Sequence, residues 1–382
     1  MSERLRRWRM ILGGGEDATG VELSGVDARR DATLESLYGA EADRRGGLGG
    51  SSPQVARWLG DIRGYFPSSV VQVMQRDAMD RLGLRQLLLE PELLESVQPD
   101  VHLVGTLLSL NKAIPERSRE TARAVVRKVV EDLEKRLAQP TRQAVTGALH
   151  RANRTSRPRP SDIDWNRTIL ANLKHYQPEH HTVVPERLVG YGRRLPQVSR
   201  RIVLCLDQSG SMAGSVVYAS VFGAVLASVR SLRTQVIAFS TEVADLTESV
   251  TDPVELLFGV QLGGGTDINA ALAYCQGRIE APRDTVLVLI SDLFEGGDEQ
   301  EMRQRARALR ADGVQVVCLL ALDDEGAPAY DHDNAVALAE LGIPAFACTP
   351  DRFPDLMAAA IQRQDLAGWA AANDIPVAAP GE

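Results

Sequence analysis

From Arg201 onward, short apolar runs alternate with longer amphipathic stretches, and few folds accept that rhythm. The runs include "RIVLCLD" from Arg201, "TVLVLIS" from Thr285 and "VQVVCLLAL" from Val314. A strand that is apolar at nearly every position has no face to give to water, so it belongs in a parallel sheet covered on both sides. The pattern predicts strands at 201–207, 234–240, 285–291, 314–320 and 344–348. It predicts helices at about 215–232, 267–280, 298–311, 333–341 and 352–364. Strand–helix alternation makes a doubly wound α/β domain, whose ligands sit at the carboxyl ends of the strands, near the switch in strand order. Asp207 and Asp292 both close such strands.

The preceding part reads as all-α. "SSPQVARWLGDIRGYF" opens with Ser51 and Ser52, good N-caps, and puts Pro53 in the first turn. From Glu116, "ERSRETARAVVRKVVEDLEKRLAQ" lays Ala122, Val125, Val126, Val129, Val130 and Leu133 along one stripe, with charges of both signs opposite. "RANRTSRPRP" marks a boundary rich in Arg and Pro. At 382 residues the chain is long for one core. The expected layout is a helical domain at 1–150, a connector packing on the next domain at 151–197, an α/β domain at 198–370 and a flexible tail at 371–382.

A net charge of -8 argues against nucleic acid as a partner. Four cysteines far apart, with no CxxC pair, read as reduced core thiols in a reducing compartment. "MSERLRRWRMILGGGED" lacks the apolar core of a secretory signal, and Leu5, Trp8, Ile11 and Leu12 form a face suited to docking on the protein itself. No window approaches the ~20 apolar residues of a spanning helix. A cytoplasmic chain without stable membrane insertion is therefore expected.

The chemistry concentrates at "DQSGSM", where Asp207, Ser209 and Ser211 alternate at a strand end. A hydrolase elbow would need G-x-S-x-G with a later acid and histidine, but His332, in a polar turn, is the one histidine downstream. A phosphate loop needs GxxxxGK, and "ILGGGEDATG" and "RRGGLGGSSP" also lack the lysine. An Asp phosphotransferase needs D-x-D and a downstream lysine, but no lysine follows Lys174. Capping of the next helix by Ser209 and Ser211 is the bland alternative. A metal seat collects more of the chain. "GGGTDINAAL" offers Thr266 and Asp267, and "VLISDLFEGGD" offers Asp292. Hydroxyls and carboxylates without thiolate or imidazole suit a hard cation such as Mg2+, with Mn2+ or Ca2+ as alternatives. His175, His180 and His181 lack the spacing of a zinc site and read as surface connector.

D-x-S-x-S, a threonine in G-G-T-D and an aspartate in "SDLF" together resemble the metal-ion-dependent adhesion site of von Willebrand factor A (VWA) domains, over about residues 198–365. The resemblance implies a Rossmann-like VWA fold and makes Asp207, Ser209, Ser211, Thr266 and Asp292 the metal ligands. It also implies a non-catalytic site, completed by an acidic residue from a partner. A helical half before such a domain, with the connector "DIDWNRTILANLKHYQPEHHTVVPERL", resembles the bacterial CoxE-like and ViaA-like proteins that work beside MoxR-type AAA+ ATPases. That implies an adaptor or co-chaperone acting on client proteins. A metal-chelatase subunit and a Mg2+-dependent hydrolase are the alternatives. The first lacks an acidic proline-rich hinge here, and the second has only Glu295 or Asp267 as a base. Glu295, Asp298 and Glu299 read as the acidic first turn of the helix that follows.

Overall fold

The computed structural model describes residues 4–5, 8–9, 22–38, 52–81, 91–152, 154–155, 163–191, 200–259, 264–322 and 329–378. Ile11, Leu12, most of the two glycine-rich stretches of the N-terminal half and most of the boundary at 151–160 lie outside them.

The chain divides into two compact units, Met1–Glu131 and Asp132–Glu382. The first consists of α1 (Gly25–Tyr38), α2 (Ser52–Tyr65), α3 (Ser68–Arg81), α4 (Pro91–Ser96), α5 (Val101–Ser109) and the start of α6 (Glu116–Ala152). Helix α2 packs on α1, where Trp58 Nε1 donates to the Thr33 carbonyl at 3.1 Å. The stripe expected from Ala122 to Leu133 is buried throughout. Helix α6 continues past the quoted stretch and runs through Pro140. Proline cannot donate to the carbonyl four residues back. Beyond it, however, Val145 and Ala148 are fully buried, and that packing keeps the helix going.

The connector, which has no clean pattern in sequence, is ordered by polar side chains. It contains β1 (Arg154–Thr155), paired with β4 (Gly190–Tyr191), and β2 (Tyr176–Gln177), paired with β3 (Thr182–Val183), around α7 (Trp165–Ala171). Buried Asn172 donates through Nδ2 to the carbonyls of Thr168 and Arg187, while its Oδ1 accepts from the N–H groups of Glu186 and Arg187. His175 binds Glu186 at 2.8 Å and His181 lies against Tyr176, so these histidines are engaged in surface pairs.

The second unit is built on β5 (Arg200–Asp207), β6 (Leu232–Phe239), β7 (Val243–Asp245), β8 (Thr285–Ile290), β9 (Gln315–Leu322) and β10 (Ala345–Cys348). Their order is β10-β9-β8-β5-β6-β7, and all pairings are parallel except that of the short edge strand β7. The helices are α8 (Ala213–Ala227), α9 (Pro253–Gly259), α10 (Ile268–Arg278), α11 (Glu299–Ala311), α12 (His332–Glu340), α13 (Phe353–Ile361) and α14 (Leu366–Ala372). Apolar side chains of α10, α11 and α12 share one core with Val203, Cys205, Leu287 and Leu289. On the opposite face, Gly223 lets α8 approach so closely that a Cβ there would sit 3.3 Å from Val236. The five expected strands and five expected helices are all present; β7, α9 and α14 are additions too short or too weakly patterned to read. Past residue 370, where a tail was expected, α14 continues and the Ala378 N–H donates to the Ala345 carbonyl at 3.0 Å.

Gly210–Ala227 is long and apolar enough, with mean hydropathy 1.5, to cross a membrane by composition, contrary to the sequence expectation. It is 72% buried, and packing against the sheet accounts for its apolarity. All four cysteines are buried free thiols, and burial pushes Cys318 and Cys348 up to about 12.

Candidate functional site

Strand order places the site. From β5 the chain crosses outward to β6, and from β8 it crosses the other way to β9, so the order reverses between β5 and β8. A crevice opens at such a switch point, beyond the carboxyl ends of the strands. The register pairs Leu206 with Ile290, so the next residues, Asp207 and Ser291, come side by side. Ser291 Oγ donates to Asp207 Oδ2 at 2.7 Å, and the Ser209 N–H donates to Asp207 Oδ1 at 2.9 Å. Asp207 is 1% exposed. Burial pushes its carboxyl above the usual carboxylate range and the charge of Asp292 adds to this, against the hydrogen bonds from Ser291 and Ser209.

The serines do not cap a helix. The turn Gly210–Met212 and helix α8 both begin without a side-chain cap. Instead Ser209 Oγ lies 3.2 Å from Ser211 Oγ, and Ser211 Oγ donates to Asp292 Oδ2 at 2.6 Å. Met212 is fully buried and belongs to the core. Asp292 is 4% exposed, and its Oδ1 is buried with no hydrogen-bond partner. A buried carboxylate oxygen without a donor is costly, because its hydration is lost and nothing replaces it.

Thr266 joins through its backbone. The Gly296 N–H donates to the Thr266 carbonyl at 2.8 Å, and a Cβ at Gly296 would stand 2.7 Å from that oxygen, so only glycine permits the approach. Among the described residues Thr266 is the one expected ligand with no side-chain link to the other four. Glu295 clamps the same two loops: its Oε2 accepts from the Ile268 N–H and its Oε1 from the Gly297 N–H, both at 2.7 Å. Glu295 is thus not in the first turn of α11, where Glu299 lies and which Asp298 caps. It serves the N-terminus of α10 instead, with Asp267, whose Oδ1 accepts from the Ala270 N–H at 2.7 Å. Burial raises the Glu295 carboxyl above its ordinary range, against the Gly297 and Ile268 hydrogen bonds.

Two contributors escape a reading of the sequence. Ser291 is fully buried and holds both Asp207 and the Leu293 N–H, at 3.0 Å. Asn334, also fully buried, donates to the Leu293 carbonyl at 3.2 Å. Leu293 has φ of +66°, a left-handed conformation that costs a residue bearing a Cβ about 1–2 kcal/mol. The signal for Ser291 was its place in register with Asp207; Asn334 carried none.

The donor set fits a hard divalent cation. It offers two carboxylates and hydroxyls at the neighbouring ends of β5 and β8, with an unsatisfied oxygen among them. Among the described residues no three His, Cys, Asp or Glu side chains converge, so a cation here would depend on the hydroxyls as well as the two carboxylates.

A family model described as a VWA domain containing CoxE-like protein matches residues 133–357. The uncharacterized protein YehP of Escherichia coli (strain K12) is 36% identical over 380 residues, covering 97% of each chain. Among solved structures, the conserved hypothetical protein BatB from Bacteroides thetaiotaomicron is 15% identical, covers 44% of this chain and 98% of its own, and gives a TM-score of 0.32. The RO (RSR) protein of Deinococcus radiodurans is 14% identical, covers 90% and 65%, and gives 0.31. Neither likeness is close enough to bear on function.

Proposed function

The chain belongs to the CoxE-like family of VWA-domain proteins, and from that premise we propose that its second unit is a metal-dependent protein-binding module without catalytic turnover. Asp207, Ser209, Ser211, Thr266 and Asp292 would hold Mg2+, some of them through water. The observation that carries this reading is the buried, partnerless Asp292 Oδ1 beside the Ser211–Ser209–Asp207 chain of oxygens. The bound cation supplies an electrophilic position that a partner's carboxylate completes. The protein's own groups keep that position shaped. Ser291 and the Ser209 N–H fix Asp207, Ser211 fixes Asp292, and Glu295 ties the Thr266 loop to the Asp292 loop.

The use made of the candidate bases supports a site without turnover. Glu295 accepts backbone N–H groups with both carboxylate oxygens and Asp267 caps α10 through Oδ1, so both carboxylates serve the loops that frame the site. The partner proposed is a MoxR-type AAA+ ATPase or its client, in the cytoplasm, with the chain as adaptor or co-chaperone and the helical unit as a second contact. Pull-down with a purified MoxR-type ATPase tests it. Capture is expected in Mg2+, lost in EDTA and lost in Asp207→Ala with the circular dichroism spectrum unchanged. Equal capture in EDTA would sink the reading.

A further inference from the structure

The residues after Asp292 do more than close a turn. Leu293 takes its left-handed conformation with its side chain fully buried, which leaves the next side chain pointing outward: Phe294 is 49% exposed. The arrangement is imposed from three sides. The Leu293 N–H is held by Ser291 Oγ, its carbonyl by Asn334 Nδ2, and the Asp292 carbonyl accepts from the Asp331 N–H at 2.9 Å. Asn334 is itself fixed, accepting from Arg303 Nε at 2.9 Å. Such strain persists only where surrounding structure enforces it, and it concentrates at functional sites.

Phe294 stands between two anchors of the site. Two residues before it, Asp292 is bound to Ser211; two residues after it, Gly296 is bound to Thr266. An aromatic ring half-exposed at that point has an apolar body to offer to a partner. The rest of this rim is acidic, with Asp267, Glu295, Asp298 and Glu299 on the adjoining loops and helix start. Glu299 pairs with Arg303, and no other cation is set among these four in the described residues.

Resting on the metal-dependent reading above, we infer that Phe294 is the specificity-determining contact of the mouth. The partner segment carries a single carboxylate beside a bulky apolar side chain, and is not an acidic run. The carboxylate completes the metal shell, and the apolar neighbour covers Phe294. Further acidic residues would meet the like charge of the acidic rim.

The test uses the full chain and three labelled hexapeptides, each with one central aspartate flanked by leucine, by alanine or by glutamate. Fluorescence polarisation reads peptide binding, and calorimetry reads Mg2+ binding. In Mg2+ the leucine-flanked peptide is expected to bind about tenfold tighter than the alanine-flanked one, the scale of a small apolar group in a contact. The glutamate-flanked peptide should be weakest. Phe294→Ala should bring the leucine- and alanine-flanked peptides level while Mg2+ binding is unchanged, and Phe294→Leu should keep most of the preference. A preference that survives Phe294→Ala, a glutamate-flanked peptide that binds as well as the leucine one, or Mg2+ binding with no peptide captured would each overturn the inference while leaving the metal site standing. Absence of Mg2+ binding in the wild type would overturn both.

Discussion

Strand β5 begins at Arg200 and Arg201 and ends at Asp207, and its two ends treat charge in opposite ways. At the amino end, among the described residues, the cations that begin the strand meet protein acceptors. Arg200 binds Asp284 at 2.9 Å and the Arg283 carbonyl at 3.2 Å, and Arg201 binds Glu280 at 2.7 Å. Arg363 donates to the carbonyls of Arg283 and Gly313. Several of these partners are well exposed, Glu280 to 76%. At the carboxyl end two carboxylates are buried together, and among the described residues neither has a Lys, Arg or His partner. Neutral donors hold them, and one oxygen is left over. The first arrangement closes a surface. The second leaves negative charge to be matched from outside, at a cost the fold tolerates only if something is gained.

Asp207→Asn breaks the contrast most sharply, because it keeps the shape and removes one charge. With Mg2+ a hundredfold above its Kd, binding stabilises the native state by about 2.7 kcal/mol. That gain should vanish in the variant. In EDTA relief of one of two neighbouring like charges offsets the loss of one accepted hydrogen bond, so the variant should melt near wild type. Thermal melts with Mg2+ and with EDTA measure both. A variant that still gains stability from Mg2+ would mean that Asp207 is ordinary buried structure.

Ser291→Ala sharpens the contrast at a smaller scale. The hydroxyl serves Asp207 Oδ2 and the Leu293 N–H, both away from solvent. Its loss leaves two groups unsatisfied and should cost about 1–3 kcal/mol in EDTA, measured by chemical denaturation. A cost below about 0.5 kcal/mol, the range of ordinary surface changes, would show that the site's polar frame is not what holds it.

Why Ser291 was invisible in the sequence is instructive. Its neighbours Asp207 and Asp292 announce themselves as carboxylates after apolar runs, and Ser209 and Ser211 by their alternation. A serine closing "TVLVLIS" looks like the fading end of a strand until the β5–β8 register sets it against Asp207. The strands themselves were legible to within about two residues, because burial on both faces demands unbroken apolar runs. Helix starts were legible where an aspartate caps them, as Asp267, Asp298 and Asp331 do. Glu295 was misread because proximity in sequence suggested α11, whereas its hydrogen bonds run to its own turn at Gly297 and to α10. Pro140 shows the opposite case: a strong local helix breaker is overridden by packing further along α6. Positions set by register or by distant packing are those that a linear reading loses.

Arg200→Ala carries the smallest expected effect and tests the other end. Its side chain is 16% exposed and its partner Asp284 43%, so solvent screens much of the attraction. Pairs of that kind contribute about 0–1 kcal/mol. The variant should therefore lose no more than about 1 kcal/mol in denaturation. Its stabilisation by Mg2+ should equal that of wild type, because the strand transmits position, not charge, over its eight residues. A reduced Mg2+ response in Arg200→Ala would show that the arginines at one end tune the carboxylates at the other. The two ends of β5 would then have to be treated as one electrostatic system instead of two.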